Sequence, residues 1–253
     1  MKIINLIKEL DKLFPRSLGC DWDNDGVMCA PDTEREANRV LCVLDVTDAV
    51  VRYAQNNGFD VIISHHPLIF KPLPSLFEDN PAQKTIIDII KSNITVLSYH
   101  TRLDAANGGV ADLLCELAGL TDVETIDGAG ENILRIGNTE KTDLISFSSR
   151  IKSALDCPFI LASDQVNAVS RVAVCPGDGK DFVSLAKSLG ADTYLTGRLS
   201  YNIMCDAQKI GLNLIEAGHY YTERNIAHRL ADTVRNLCGA HVEVYESLNI
   251  NII

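Results

Sequence analysis

Three short strings in this chain carry the residue types that bind cations. His100 and Asp104 stand four positions apart, His219 and Glu223 repeat the spacing, and His65-His66 form a tandem pair. Four of the six histidines in the chain lie in these strings. Imidazole and carboxylate together suit Zn, Fe or Mn, and a carboxylate can bridge two ions. Positions i and i+4 share a helix face, so each His-x-x-x-acid string presents both donors on one side if it is helical. If Thr101-Arg102-Leu103 is instead a loop, His100 orients a ligand or accepts a proton rather than binding metal. Adjacent histidines point to opposite faces of a continuing strand, so His65 and His66 converge only if the chain turns at Pro67. Any one of these histidines alone would ordinarily be a hydrogen-bonded structural residue; the repetition of the spacing argues for metal.

The elements that must position these residues form an internal repeat. Arg39–Val43 reads as a buried strand, Asp48–Asn57 as a helix, and Gly58-Phe59-Asp60 leads into the strand Val61–Ser64. In the second half Arg171–Val174 is a strand, Lys180–Leu189 a helix, and Gly190-Ala191-Asp192 leads into Thr193–Thr196. A third strand follows in each copy, Ile94–Ser98 and Leu212–Glu216, and each ends just before its His-x-x-x-acid string. The pattern predicts a duplicated β-α-β-α-β unit with ligands beyond the C-terminal strand ends, where open α/β sheets bind things. The halves are expected at 1–125 and 126–253. His65-His66 corresponds to Gly197-Arg198, so the tandem histidines belong to one copy and the site is asymmetric.

Composition narrows the class. With 46% hydrophobic residues over 253 positions the chain can bury a substantial core. No apolar run approaches the roughly 18 residues of a membrane span. Met1–Phe14 places Ile4, Ile7, Leu10 and Leu13 at helical spacing and reads as an amphipathic helix, not a signal peptide. Eight cysteines without a C-x-x-C read as buried reduced thiols, which points to the cytosol. The formal charge of -11 and the lack of a Lys/Arg cluster argue against a nucleic-acid surface.

Between these elements, Pro67–Pro81 reads as a long ordered loop and Leu120–Asn132 as an acidic connector. Ile133–Ile136, Thr142–Leu155 and Phe159–Ala162 read as strand, helix and strand. Asp21–Gly26 with Asp32 imitates a calcium loop, but Pro15, Gly19 and Pro31 break the flanking helices, which leaves an acidic turn. Pro176–Lys180 could form an anion nest but lacks the P-loop spacing, and a tight βα turn is the simpler reading.

The strings Asp21-Trp22-Asp23-Asn24, Leu44-Asp45-Val46-Thr47, Ser64-His65-His66-Pro67, His100-Thr101 with Leu103-Asp104, and Gly218-His219 with Thr222-Glu223 resemble the Nif-three-like family of dinuclear-metal-centre proteins. Members are often labelled GTP cyclohydrolase 1 type 2 homologues, and the likeness runs nearly the whole chain. The resemblance implies a three-layer α/β/α fold of two similar intertwined halves and a toroidal homohexamer built as a trimer of dimers. It implies two divalent metal ions per chain, Zn, Fe or Mn, held by His65, His66, Asp104, His219 and Glu223. Glu223 is then the bridge, and His100 stands beside the pair as the candidate catalytic residue. Two positions depart from the family pattern: Arg102 stands where Asn is frequent, and Arg198 where an acidic residue is common. Each arginine either tunes the site for an anionic substrate or neutralises local carboxylates.

Two cations a few ångströms apart acidify a water and polarise an electrophile, which is hydrolysis without a nucleophilic side chain. No G-x-S-x-G string or activated cysteine competes with that chemistry. The expected function is a metal-dependent hydrolase of a nucleotide-like or other small anionic substrate. The alternative is a non-catalytic metal-binding ring that scaffolds partners or buffers metal.

Overall fold

The computed structural model describes residues 1–128, 131–248 and 250, a mixed α/β chain with two sheets and helices on their faces. It divides into two compact units, one of Met1–Leu103 with Ile226–Asn249 and one built on Asp104–Asn225. These are not the sequence halves 1–125 and 126–253. The helix Val110–Leu117 packs in the second unit by burying Leu114 and Cys115 against Val172 and Val174. The C-terminal helix Ile226–Leu237 and strand His241–Val244 pack in the first, because the edge of its sheet offers them a parallel pairing partner.

The first unit holds the strands β1 (Gly26–Cys29), β2 (Arg39–Val43), β3 (Val61–Ser64), β4 (Thr95–Ser98) and β11 (His241–Val244), in the order β1-β4-β3-β2-β11. All pairs are parallel except β1 with β4. Strands covered on both faces read as continuous apolar runs rather than alternating ones, which is what Val40–Val43 and Val61–Ile63 show. One face sends Leu41, Val43, Ile62 and Val96 against Val50, Val51, Ala54 and Ile89 of the helices Asp48–Asn56 and Pro81–Lys91. The other carries Cys42, whose thiol is pushed up to about 12 by burial, on the side of Asp232 and Arg235 of Ile226–Leu237. Each such large side chain contributes on the order of 1.5–3 kcal/mol by leaving water. The N-terminal helix is Ile3–Leu13, but its buried face is Ile3, Leu6, Ile7 and Leu10 rather than the expected Ile4, Ile7, Leu10 and Leu13. Backbone bonds from Ile3 to Arg35 and from Ile4 to Thr33 fix the start of the helix and so its rotation, leaving Leu13 exposed.

The second unit holds β5 (Thr121–Gly128), β6 (Glu131–Thr142), β7 (Leu161–Ala162), β8 (Val169–Cys175), β9 (Thr193–Thr196) and β10 (Asn213–Glu216), in the order β5-β6-β8-β9-β10-β7. Its core is the parallel trio β8-β9-β10, as β2-β3-β4 is in the first unit. The duplication extends to side chains. Asp60 accepts the amides of Asn38 and Arg39 where β2 begins, and Asp192 accepts those of Ser170 and Arg171 in β8.

The stretch expected as a connector, 120–132, is instead largely strand: β5 pairs antiparallel with β6, while residues 129 and 130 lie outside the described residues. Most of β5 is exposed, so its order comes from the backbone ladder and leaves little burial pattern to read. Between β6 and β7 the helix is Leu144–Ala154, capped by the Asp143 carboxylate on the Ser146 amide. The segment read as Lys180–Leu189 begins with a 3-10 turn at Lys180–Phe182 before the helix Val183–Ser188. From Pro67 to Asn80 there is neither helix nor strand. Among the described residues no helix is long and apolar enough to cross a membrane.

Candidate metal centre

In the first unit, strand β3 stops at Ser64, and the bend that follows ends the alternation that would have sent His65 and His66 to opposite faces. Ser64 holds the bend by donating to the His66 carbonyl at 2.8 Å. His65, His66 and His100 then converge, with one nitrogen of each within 4.8 Å of the others. Each ring is oriented through Nδ1: His65 meets the Tyr99 carbonyl at 2.9 Å, His66 the Asp45 carboxylate at 2.7 Å, and His100 the Asp23 carboxylate at 2.9 Å. A carbonyl or carboxylate only accepts, so Nδ1 carries the proton in all three. A neutral ring then keeps its lone pair on Nε2, the tautomer in which protein histidines meet a cation through Nε2.

The Asp23 carboxylate is itself fixed by the Thr101 amide and hydroxyl at 3.1 and 2.7 Å. Burial pushes this group up, but the hydrogen bonds from His100 and Thr101 outweigh it and hold the carboxyl at about 2. It is therefore ionised throughout the neutral range and anchors the His100 ring. His100 immediately precedes the short helix Thr101–Ala105, which carries Asp104. That span is helical, not loop, although too short to be regular beyond one turn.

In the second unit, Gly218 takes φ 82°, a conformation open to glycine at little cost, and starts the helix His219–Glu223. Its i and i+4 side chains meet as expected, with His219 Nε2 2.9 Å from Glu223 Oε2. Asp104 and Glu223 are both buried, and a carboxylate oxygen of one lies within 4.8 Å of one of the other. Two ionised carboxylates so close and so buried repel each other, and a shared divalent cation removes that repulsion. The donor set fits a metal on both counts: three imidazoles in a ligating tautomer, and a buried carboxylate pair with an adjacent imidazole. The approach is tight, since a Cβ on Gly197 would lie 2.8 Å from the His219 Cα and 2.6 Å from the Thr222 hydroxyl.

The two arginines part company. Arg102 is buried and spends its guanidinium on Asp25, Asp11 and the Phe14 carbonyl, at 3.0, 2.8 and 2.8 Å, over the Tyr99 ring. It neutralises carboxylates. Arg198 is exposed just past the end of β9, beside Gly197, and has no hydrogen bond or ion pair among the described residues. The Pro176–Lys180 turn is no anion nest: its Gly177 and Gly179 amides donate to the hydroxyls of Thr222 and Thr196. Sequence reasoning did not assign Asp23, Asp45 or the Tyr99 carbonyl as the groups that orient the histidines. The only hint was that acidic residues occur within the resembling strings.

The sequence model of the Duf34/NIF3 family (NGG1p interacting factor 3) matches residues 1–251. A Lactococcus lactis protein named GTP cyclohydrolase 1 type 2 homolog is 33% identical over 251 residues, covering 98% of this chain and 96% of that protein. A Staphylococcus aureus hypothetical protein of solved structure is 27% identical with TM-score 0.87, covering 100% of this chain and 99% of that one. The crystal structure of a Bacillus cereus protein related to NIF3 gives TM-score 0.90 at 22% identity, covering 100% and 99%, and shares the fold. With its duplicated sheets, its converging histidines and a family match over nearly every residue, this chain belongs to the Duf34/NIF3 family.

Proposed function

We propose that the protein is a metal-dependent hydrolase acting on a small anionic, nucleotide-like substrate. His65, His66, Asp104, His219 and Glu223 would hold two divalent cations per chain, with Glu223 bridging. The observation that carries this reading is the set of three histidines, each turned by a hydrogen bond at Nδ1 so that their nitrogens converge within 4.8 Å. When bound, the cations would supply Lewis acidity, polarising the substrate's electrophilic centre and making water a competent nucleophile near neutral pH. The chain's own residues do the rest. His100, backed by the ionised Asp23, can take a proton at Nε2 and return it, because the carboxylate stabilises the imidazolium that forms. Arg198 supplies an exposed guanidinium at the strand end next to His219, suited to a phosphate or carboxylate on the substrate. The name of the Lactococcus lactis relative supports the nucleotide class.

Elemental analysis of gently purified protein should give two divalent ions per chain, and one or none after reloading would count against the dinuclear reading. Nucleotides, phosphoesters and cyclic amides offered to Mn-, Zn- and Fe-loaded protein should yield product only when metal is present. Two bound metals without any turnover would instead favour a scaffold or metal buffer. The proposed assembly is a homohexameric ring, which closed symmetry makes the ordinary kind of oligomer. Light scattering should report the same hexamer before and after chelation, since every ligand comes from one chain. A monomer in both states would remove the ring, and dissociation on chelation would mean that metal braces the subunit contacts.

A further inference from the structure

Trp22 and Phe70 stand beside the first unit's histidines, 56% and 45% exposed. Their centroids are 6.2 Å apart, and each lies 6.4 Å from the His100 ring. The interplanar angles, 68° between the two and 76° and 90° to His100, make an open corner of three edge-to-face rings. Loose surface aromatics would not be held this way. Trp22 lies between Cys20 and Asp23, which are joined by a turn bond, and Asp23 is tied to His100 and Thr101. The Phe70 loop is joined to the same turn by the Asn24 side-chain amide, which donates to the Ile69 carbonyl. An indole that is more than half exposed is therefore kept at a fixed place next to the candidate proton acceptor, and one of the bonds that fix it, from Asp23, also orients His100.

We propose that Trp22 and Phe70 form a stacking subsite for a planar heteroaromatic ring of the substrate, such as a nucleobase. This inference rests on the metal-site reading, since it places the substrate's ring beside the histidines where the chemistry would occur. Every base presents a π face, and the indole offers the largest aromatic surface on which to stack it. An apolar peptide or a second copy of the chain would cover the same rings, but neither would need them tied to His100 through Asp23.

Trp22 is the chain's one tryptophan, so tryptophan fluorescence, excited beyond the absorption of the seven tyrosines, reports on this corner alone. Guanosine, adenosine and cytidine titrated into the full-length protein, with and without metal, should quench it saturably, whereas ribose 5-phosphate should not. By calorimetry, Trp22→Leu should weaken nucleoside binding roughly tenfold, the scale of one base–aromatic stack. Trp22→Phe should restore most of the loss, and Phe70→Leu should reproduce part of it. Metal content serves as the folding control for each variant. No quenching by any nucleoside, or unchanged affinity in both Leu variants, would overturn the subsite, as would quenching that depends only on protein concentration, which would assign the corner to self-association. Quenching in a protein that turns nothing over would leave the subsite standing and remove the hydrolase reading. Metal-dependent turnover with unchanged KM in Trp22→Leu would do the reverse.

Discussion

Glu223→Gln is expected to lower the metal content from two ions per chain to at most one and to reduce metal-dependent turnover by at least a hundredfold. The substitution keeps the size of the side chain while removing its charge and replacing one ligating oxygen with an amide nitrogen that only donates. In the folded chain that charge is buried, 2.9 Å from His219 and within 4.8 Å of an Asp104 oxygen. Loss of a residue that merely orients a ligand costs about 10–100-fold in metal affinity or activity, and loss of a bridging ligand should cost no less. His100→Gln makes the informative contrast. If His100 moves protons rather than holding metal, that variant keeps both ions and loses roughly 10²–10⁴ in turnover, with the acidic limb of its pH profile flattened. Mass spectrometric metal counts on the two proteins, read beside their rates, separate the roles. Two ions bound with unchanged affinity in Glu223→Gln would end the bridge assignment, and loss of an ion in His100→Gln would make His100 a ligand.

What the sequence disclosed about this centre, and what it did not, follows from the range of the forces involved. β2 and β3 could be bounded to the residue because both of their faces are buried, so each is largely a short apolar run, and β9, Thr-Tyr-Leu-Thr, was bounded by its matching place in the repeat. The His-x-x-x-acid strings were legible because helical spacing is local. β5 was missed for the opposite reason: exposed and polar, it is held by its ladder with β6, and a ladder leaves no mark in composition. Leu161–Ala162 is all that remains of the strand expected at Phe159–Ala162, because only those two residues pair with β10.

The orienting groups were hidden by distance along the chain. Asp23 reaches His100 across 77 positions and Asp45 reaches His66 across 21, and no periodicity records such a pairing. The compact units were hidden likewise. That β11 would add to β2 depends on a parallel edge that exists only once the sheet has formed. A duplicated sequence thus predicted duplicated sheets correctly while misplacing the segments exchanged at their margins.

Arg102→Met should destabilise the protein by about 3 kcal/mol, the low end of what removing one member of a buried ion pair costs, because Asp25 keeps a second partner in Arg16 at 3.0 Å. The Arg102 and Asp25 side chains are 3% and 2% exposed, so water cannot replace the lost partner. The same guanidinium holds Asp11 and the Phe14 carbonyl, so its loss also frees the end of the N-terminal helix. For a chain of this size the change corresponds to a melting point lower by roughly 10 °C, readable by calorimetry. The defect should depend on pH, with a definite sign. Burial pushes Asp25 above the ordinary carboxylate range; Arg102 opposes that rise, and without it the rise is larger. A carboxyl whose pKa is raised on folding binds its proton more tightly in the folded state. Its stabilisation is complete below the unfolded-state value and is lost as pH climbs through the folded-state value. Arg102→Met should therefore lie nearest the wild type in acid and furthest from it at neutral pH. Arg102→Lys should recover little, because an ammonium on a single stem cannot reach three acceptors spread around a planar fork. A Met variant that melts within a degree or two of the wild type at neutral pH would show that Arg102 is not a structural counter-ion and would reopen its assignment to substrate.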